Sequence, residues 1–349
     1  MQRIPASTKK AQKAAALVSA LQQHFVSILE SVSEKQGSNR AFRPVEWGRD
    51  AGRHGGGVRY VAPGPKDPLF NRASVNMSQV HYEDLPDKPL ASATALSTII
   101  HPTNPFTPSI HVHISWTEMK SGKGYWRIMA DLNPSIPDLT LKNRFRDCLQ
   151  NAAKDLFSEA EKQGEKYFYI PSLHRHRGIA HFYLENYHTS DHEADYELAS
   201  RIGYDTLTLY GKMLAAGQTK QDDVTEEELD LQRNYHTLYF YQVLTLDRGT
   251  TSGLMVHNQN DIGIMGSLPS HINKNLLLRW QKDSPPPQDK LVAALIEALP
   301  AGDICHIDEN TKKTLAETVR NHYKNYPEAL RLQASGFTVP KTITNHRDS

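Results

Sequence analysis

The sequence is poor in cysteine, in net charge and in long apolar runs. Its 349 residues include two cysteines, Cys148 and Cys305, too few for a disulfide framework or a thiolate metal cluster. Lys and Arg number 40 and Asp and Glu 39, so the formal net charge of +1 gives no electrostatic reason to bind nucleic acid or an anionic membrane. No apolar run approaches the roughly 20 residues that span a bilayer. We therefore expect a cytoplasmic protein with no nucleic acid partner and no integral membrane association.

The N-terminal segment has the pattern of an amphipathic helix. Leu17, Leu21 and Phe25 keep helical spacing, which predicts a helix over 12–35 that packs on the body of the protein. The absence of acidic residues before Glu30 leaves a transit peptide as the alternative.

Strand-like runs dominate the first half of the chain, and helical patterns surround them singly. The predicted strands are 58–62, 73–81, 95–100, 109–117, 125–132, 167–170, 179–184 and 239–246. The predicted helices after the first are 141–156, 191–216, one that begins at the Thr225–Glu228 capping box, 289–299 and 310–332. A loop is predicted over 37–57 and a turn over 247–250. Because few stretches alternate strand and helix, the pattern favours an antiparallel sheet with helices on its faces, an α+β fold.

The stretch STIIHPTNPFTPSIHVHISW, Ser97–Trp116, concentrates three histidines and three prolines. Its second half alternates apolar and polar residues, which predicts a strand with His111 and His113 on one side. The prolines after His101 predict a connection between two strands. These histidines could hold a metal, transfer protons or line a hydrated sheet face, and the pattern alone does not choose among them.

Several stretches, in their order and spacing, resemble the oxygen-dependent coproporphyrinogen III oxidase family. They are GGGVRYV (55–61), FNRASVNMSQVH (70–81), STIIHPTNPFTPSIHVH (97–113), ADLNP (130–134), HRHRGI (174–179) and LDRGTTSGL (246–254). The resemblance covers roughly residues 12–300. It implies one domain over residues 1–300, with about seven antiparallel strands sandwiched between two layers of helices. Residues 301–349 are then a C-terminal helical extension and polar tail.

The resemblance also implies an activity and an assembly. Family members are cofactor-free homodimers that use molecular oxygen as co-substrate. They convert two propionates of coproporphyrinogen III into vinyl groups, which belongs to haem biosynthesis. A small-molecule carboxylate, a porphyrinogen by default, is therefore the expected substrate.

Residue by residue, the resemblance nominates a catalytic set and a binding set. His111 matches the histidine usually assigned as proton donor, and His101 matches the histidine of the HPxNP motif. Glu185 falls where the family has the first of two aspartates, and Asn186 takes the place of the second. Glu185 is therefore the remaining candidate for the base. The remaining candidates bind substrate: Ser97, Asn104, His113, Arg127, Asp131, Arg177 and Arg248. No residue is expected to bind a metal.

The sequence departs from the family where the macrocycle would lie. Three family glycines are here Arg127, Ile128 and Met129, and two family arginines are replaced at Ser115 and Asn260. On a strand, Arg127 and Met129 should point together into the pocket and Ile128 away from it. Arg127 could then act as a new carboxylate clamp. Three functions stay open: oxidation of coproporphyrinogen III, oxidative decarboxylation of a smaller carboxylic acid in a remodelled pocket, and non-catalytic porphyrin binding.

Overall fold

A seven-stranded antiparallel sheet forms the centre of the molecule, in the order β1-β2-β3-β4-β5-β6-β9. The structure, a computed structural model, describes residues 2–37, 41–62, 67–217, 224–339 and 342–346. The strands are β1 Arg43–Gly48, β2 Gly55–Val61, β3 Phe70–His81, β4 Leu90–Pro102, β5 Ser109–Met119, β6 Gly124–Asn133, β7 Tyr169–Ile170, β8 Arg175–His176, β9 Ala180–Tyr187, β10 His271–Asn273 and β11 Ile304–His306. Strands β7–β8 and β10–β11 form two small separate pairs.

Helices cover both faces of this sheet, which confirms the predicted α+β sandwich. They are α1 Lys9–Lys35, α2 Leu139–Ala153, α3 Phe157–Phe168, α4 His192–Gly217, α5 Glu226–Thr245, α6 Arg248–Val256, α7 Asp261–Ile264, α8 Lys274–Gln281, α9 Gln288–Ala298, α10 Glu309–Asn325 and α11 Thr342–His346. Helices α1, α2 and α4 pack on one face, and α5, α6 and later elements lie over the other. Within the described ranges, no helix is both long and apolar enough to cross a membrane.

Alternation along β5 separates a core face from a polar face, as the period-2 pattern predicts. Ile110, Val112 and Ile114 are fully buried in the core that includes α1 and α4. His111 and His113 project to the other face. Helix α1 begins where the Thr8 side chain accepts a hydrogen bond from the Ala11 amide, three residues before the predicted start.

The predicted strand over 239–246 is wrong, because this segment is the second half of α5. Its residues from Tyr235 to Thr245 are all buried, so the apolar pattern has no helical period to detect. The aromatic side chains of this segment are enclosed within the chain. The predicted turn after it is the start of α6, where Asp247 Oδ1 accepts from the Thr250 amide at 2.7 Å.

The predicted loop over 37–57 is also wrong in part, since it contains β1 and the start of β2. Gly55 and Gly56 have φ values of 84° and 148°, which favour glycine. A Cβ at either position would lie 2.2 Å from a backbone oxygen, of Gln79 or Trp47 respectively. Close strand pairing therefore requires these glycines.

Residues after 300 add to the hydrophobic packing on the polar side of the sheet. In α10, Leu315, Val319 and Tyr323 are buried in the core that α5 and α9 also form. The predicted helix over 310–332 ends earlier, at Asn325, and a 3-10 turn over Pro327–Leu332 follows it. The chain on either side of residue 300 thus shares one core.

Candidate active site

A cavity of about 290 Å³ lies between the polar face of the sheet and helices α5 and α6. The alternate residues of β3 to β6 supply its floor, and Tyr239 and Asp247 contribute from the helical side. Five of the predicted site residues line it: Ser97, His111, His113, Arg127 and Arg177. The sheet brings them together because they lie on one face of neighbouring strands or, for Arg177, just before β9.

His111 is held by a buried ion pair on the cavity wall. Cross-strand pairing places His111 opposite Asp131, and Nδ1 donates to the Asp131 carboxylate at 3.0 Å. Arg177 donates to the other carboxylate oxygen at 2.6 Å, and the Asn133 side chain donates to the same oxygen. Asp131 and Arg177 are both fully buried. This pairing orients the imidazole and leaves its Nε2 as the acceptor.

In the Asp131–Arg177 pair, each charge stabilises the charged form of the other residue. Burial opposes the charged form of Asp131, but Arg177 and His111 outweigh it and hold the carboxyl pKa well below its ordinary value. Burial likewise opposes the charge on Arg177, and Asp131 raises the pKa of that guanidinium. Asp131 is therefore a permanent anion behind His111, which suits a positioning role better than proton transfer.

Arg127 and Glu185 form a second buried ion pair. Arg127 Nε donates to Glu185 Oε1 at 3.0 Å across β6 and β9. Burial opposes the charge on Arg127, and Glu185 raises its pKa. Glu185 Oε2 is buried without a hydrogen-bond partner in the part of the chain that the structure describes. Glu185 is thus placed behind Arg127 and does not line the cavity.

The Arg127–Met129 segment has the predicted orientation. Arg127 and Met129 line the cavity, whereas Ile128 is fully buried in the core on the other face. Met129 also packs with Tyr167 and Tyr183. Side chains therefore occupy the part of the floor where the family has glycines.

His101 is buried in the packing between the sheet and α5, outside the cavity lining. Its Nε2 donates to the Ser267 carbonyl at 3.1 Å, and Nδ1 accepts from the Ser109 hydroxyl at 2.9 Å. The rings of Tyr239 and His236 lie 4.6 and 5.1 Å away. Burial, together with His236, holds the pKa of His101 well below its ordinary value. Of the predicted catalytic set, His111 alone borders the cavity.

His113 and Ser97 sit side by side on the cavity floor, since they pair across β5 and β4. His113 Nε2 shares a hydrogen bond of 3.0 Å with the Ser115 hydroxyl. Burial, Arg127 and His111 lower the pKa of His113 well below its ordinary value. His113 is therefore a neutral hydrogen-bonding residue at neutral pH.

Asn104 and Arg248 are not among the residues that line the cavity. Asn104 caps the β4–β5 connection: its side chain donates to the Gly217 carbonyl at 3.1 Å and accepts from the Phe106 amide at 2.9 Å. Arg248 Nε donates to the Ala334 carbonyl at 3.4 Å. Both side chains bond to the protein itself, and their contact with substrate stays a prediction.

The three histidines of the Ser97–Trp116 stretch do not converge. His111 and His113 face the cavity, while His101 is enclosed beside α5. Across the residues with described positions, no three His, Cys, Asp or Glu side chains are grouped so that they could hold a metal ion.

Some cavity residues could hardly be anticipated from the sequence. Tyr167 donates to Asp247 Oδ2 at 2.8 Å, and both line the cavity. Asp247 lies in the LDRGTTSGL motif, but the residues 247–250 by themselves predict only a turn. Thr342, Asn345 and His346 of α11 also line the cavity. They carry no motif and lie beyond the region of resemblance.

A cavity with a carboxylate-oriented histidine on its wall is typical of an enzyme site for a small molecule. The family model described as Coproporphyrinogen III oxidase matches residues 13–299. The chain belongs to this family.

Individual relatives have low identity over most of the chain. The oxygen-dependent coproporphyrinogen-III oxidase of Rickettsia akari (strain Hartford) is 24% identical over 260 residues, which cover 70% of this chain and 91% of the relative. The enzymes of that name from Prochlorococcus marinus strains NATL1A and MIT 9313 are each 27% identical over 333 residues. These alignments cover 84% of this chain and 90% and 89% of the relatives.

Proposed function

We propose that the protein is an oxygen-dependent oxidoreductase that decarboxylates propionate side chains, with coproporphyrinogen III as its leading substrate. In each round a propionate loses CO₂ and one hydrogen from the carbon next to the ring, and a vinyl group forms. The two electrons, with two protons, reduce O₂ to hydrogen peroxide. The observation that carries the proposal is the cavity-facing His111 held by the buried Asp131–Arg177 pair.

His111 has the geometry of a proton-transfer group. A pyrrole N–H must lose a proton before the electron-rich ring can reduce oxygen. The His111 Nε2 is left as an acceptor by the bond from Nδ1 to Asp131. Arg177 keeps Asp131 ionised, so the ring keeps its orientation. Proton transfer by a positioned side chain accelerates reactions by about 10²–10⁴-fold.

The direct test adds coproporphyrinogen III without oxygen and then admits oxygen. We expect a product lighter by CO₂ and two hydrogens per propionate, with one peroxide per round. We also expect turnover to survive chelators, because we propose metal-free chemistry. Binding without an oxygen-dependent change of mass would reject the enzyme proposal in favour of non-catalytic porphyrin binding. Loss of activity in EDTA, restored by one specific ion, would reject the metal-free part.

A second candidate substrate is a smaller carboxylic acid. The observation that favours it is the cavity floor, where the Arg127 and Met129 side chains stand. Each arginine on the described lining, Arg127 and Arg177, is already paired with an internal carboxylate. A substrate with several carboxylates would therefore meet no unpaired arginine on this lining. The volume of about 290 Å³ is at the lower end of the range for small-molecule pockets.

Enlarging the floor separates the two substrates. Two variants remove side chains from the cavity floor: Met129→Gly alone, and Met129→Gly combined with Arg127→Gly and Glu185→Gln. Glu185 is changed together with Arg127 so that no buried carboxylate is left unpaired. Ile128 is kept because it belongs to the core. If the substrate has changed, coproporphyrin III should bind the enlarged variants about tenfold more tightly than the wild type. Tight wild-type binding that the enlarged floor does not improve would remove the case for a smaller acid.

We also propose that the protein is a homodimer, as family membership suggests. Light scattering at micromolar concentration should give twice the chain mass. A monomer mass would overturn this part of the proposal.

A further inference from the structure

Two described parts of the C-terminal segment, at Gly336 and His346, are anchored on opposite sides of the cavity floor. At one end, Lys166 donates to the Gly336 carbonyl at 2.8 Å, and a Cβ at Gly336 would lie 3.4 Å from the Tyr183 ring on β9. At the other end, His346 shares a hydrogen bond of 3.2 Å with the Tyr82 hydroxyl, just after β3. The anchors therefore lie on either side of β4, β5 and β6, whose residues form the cavity floor.

Helix α11, at the end of this segment, forms part of the cavity wall. Thr342, Asn345 and His346 line the cavity. The His346 ring meets the rings of His257 at 5.3 Å and Tyr82 at 5.6 Å, both edge-on. These residues lie outside the region 13–299 that the family model matches. The wall therefore comes from a part of the chain that the family model does not match.

The attachment of α11 is light compared with that of α10. None of the five residues of α11 is buried, whereas Leu315 and Val319 of α10 are fully enclosed. The described anchors of His346 are the bond to Tyr82, the ring contacts and a bond of 2.8 Å from Lys88 Nζ to its carbonyl. A net hydrogen bond changes an equilibrium constant by only about twofold to twelvefold. Detachment of α11 is therefore feasible without unfolding the domain.

We propose that α11 is a removable wall of the cavity. In place, Asn345 and His346 limit the size of the ligand and shield it from water, and detachment of α11 admits substrate and releases product. The presence of this wall rests on the contacts above. Only the identity of the ligand rests on the proposed function.

A cysteine in the cavity tests the wall without any ligand. Ala95 lines the cavity floor and has no role in the proposed chemistry, so Ala95→Cys reports how fast a maleimide enters. Labelling is located by peptide mass, because Cys148 and Cys305 are also present. His346→Ala in this background should raise the labelling rate by about threefold to tenfold. A chain that ends at Val339 should raise it by more than tenfold.

The matched control is Thr344→Ala, on the exposed side of the same helix, which should leave the rate unchanged. Equal labelling in wild type, His346→Ala and the shortened chain would overturn the proposal. The His346→Ala variant keeps the full chain, and a thermal unfolding curve that matches wild type shows that labelling reports the wall.

Coproporphyrin III then separates this proposal from the proposed function. With both correct, association and dissociation of the porphyrin should each be faster in His346→Ala than in Thr344→Ala. If the labelling difference holds but no variant binds the porphyrin, the removable wall stands and the proposed substrate is wrong.

Discussion

The two faces of the central sheet use the same strands for different purposes. On β5, Ile114 is enclosed under α1 and α4, and its neighbour Ser115 faces the cavity. The core face consists of apolar side chains that close-pack, whereas the cavity face carries histidines, arginines and hydroxyls. The division is incomplete, because Asp131 and Arg177 on the cavity side are as buried as any core residue. Under the proposed function, chemistry on this sheet would therefore depend on a charged pair that is also structural.

The largest expected effect on stability is that of breaking this pair. Asp131→Asn keeps the shape of the side chain but leaves the Arg177 charge buried and unpaired. Loss of one partner of a buried ion pair costs about 3–5 kcal/mol. We expect the free energy of unfolding in urea at pH 7 to fall by that amount, with loss of turnover. A change below about 1 kcal/mol would show that the pair is solvated.

The control removes both charges. Asp131→Leu/Arg177→Met replaces the pair by apolar side chains and should recover at least about 2 kcal/mol of the loss, because no unpaired charge remains. It should not recover turnover, since His111 then lacks its orienting carboxylate. Recovery of both stability and turnover would contradict the role given to Asp131.

The next effect should be confined to stability. Ile114→Ala deletes fully buried methyl groups from the core face and should cost about 2–5 kcal/mol. The matched substitution on the adjacent residue, Ser115→Ala, should cost only about 0.5–1.5 kcal/mol, because it removes one hydrogen bond, to His113, and almost no apolar packing. Urea unfolding of both variants measures the contrast between the faces. Equal losses of unfolding free energy in the two variants would contradict the contrast between the two faces.

The smallest expected effect is on the pH dependence of stability, and it arises from a histidine of α5, on the cavity side of the sheet. Burial, with His271 nearby, lowers the pKa of His236 on α5 to about 3. The unfolded chain, with a histidine pKa of about 6.5, binds a proton that the folded chain does not, so stability falls as pH drops below 6.5. This residue alone should cost about 2 kcal/mol between pH 7 and pH 5.

His236→Phe tests this assignment, because it keeps an aromatic ring and removes the titration. The pH dependence of the unfolding free energy should decrease by about 2 kcal/mol over that interval. Equal pH dependence in wild type and His236→Phe would contradict the assignment.

Much of the sheet could be predicted from the sequence, because alternation is a local property. The runs predicted at 73–81, 109–117 and 125–132 lie within β3, β5 and β6, and the orientation of Arg127 and Met129 followed from the same rule. Helix α5 could not be recognised over its second half, since full burial removes the periodic contrast.

The partners of site residues could not be predicted, because they depend on contacts between distant segments. Alternation indicates which face Glu185 occupies but not that Arg127 neutralises it. His101 carries the motif of a site residue, and only the packing of α5 shows that it is enclosed. The position of α11 depends on Tyr82 and His257, far away in the chain, so its short polar sequence contains no signal.

The most direct measurement of the central claim is a single turnover of His111→Asn. The variant and the wild type are loaded with coproporphyrinogen III without oxygen, mixed with oxygen, and followed by product mass and peroxide. We expect a rate about 10²–10⁴-fold lower in the variant, with substrate still bound and an unfolding free energy within about 1 kcal/mol of wild type. A rate within about threefold of wild type would contradict the claim that the polar face acts through His111.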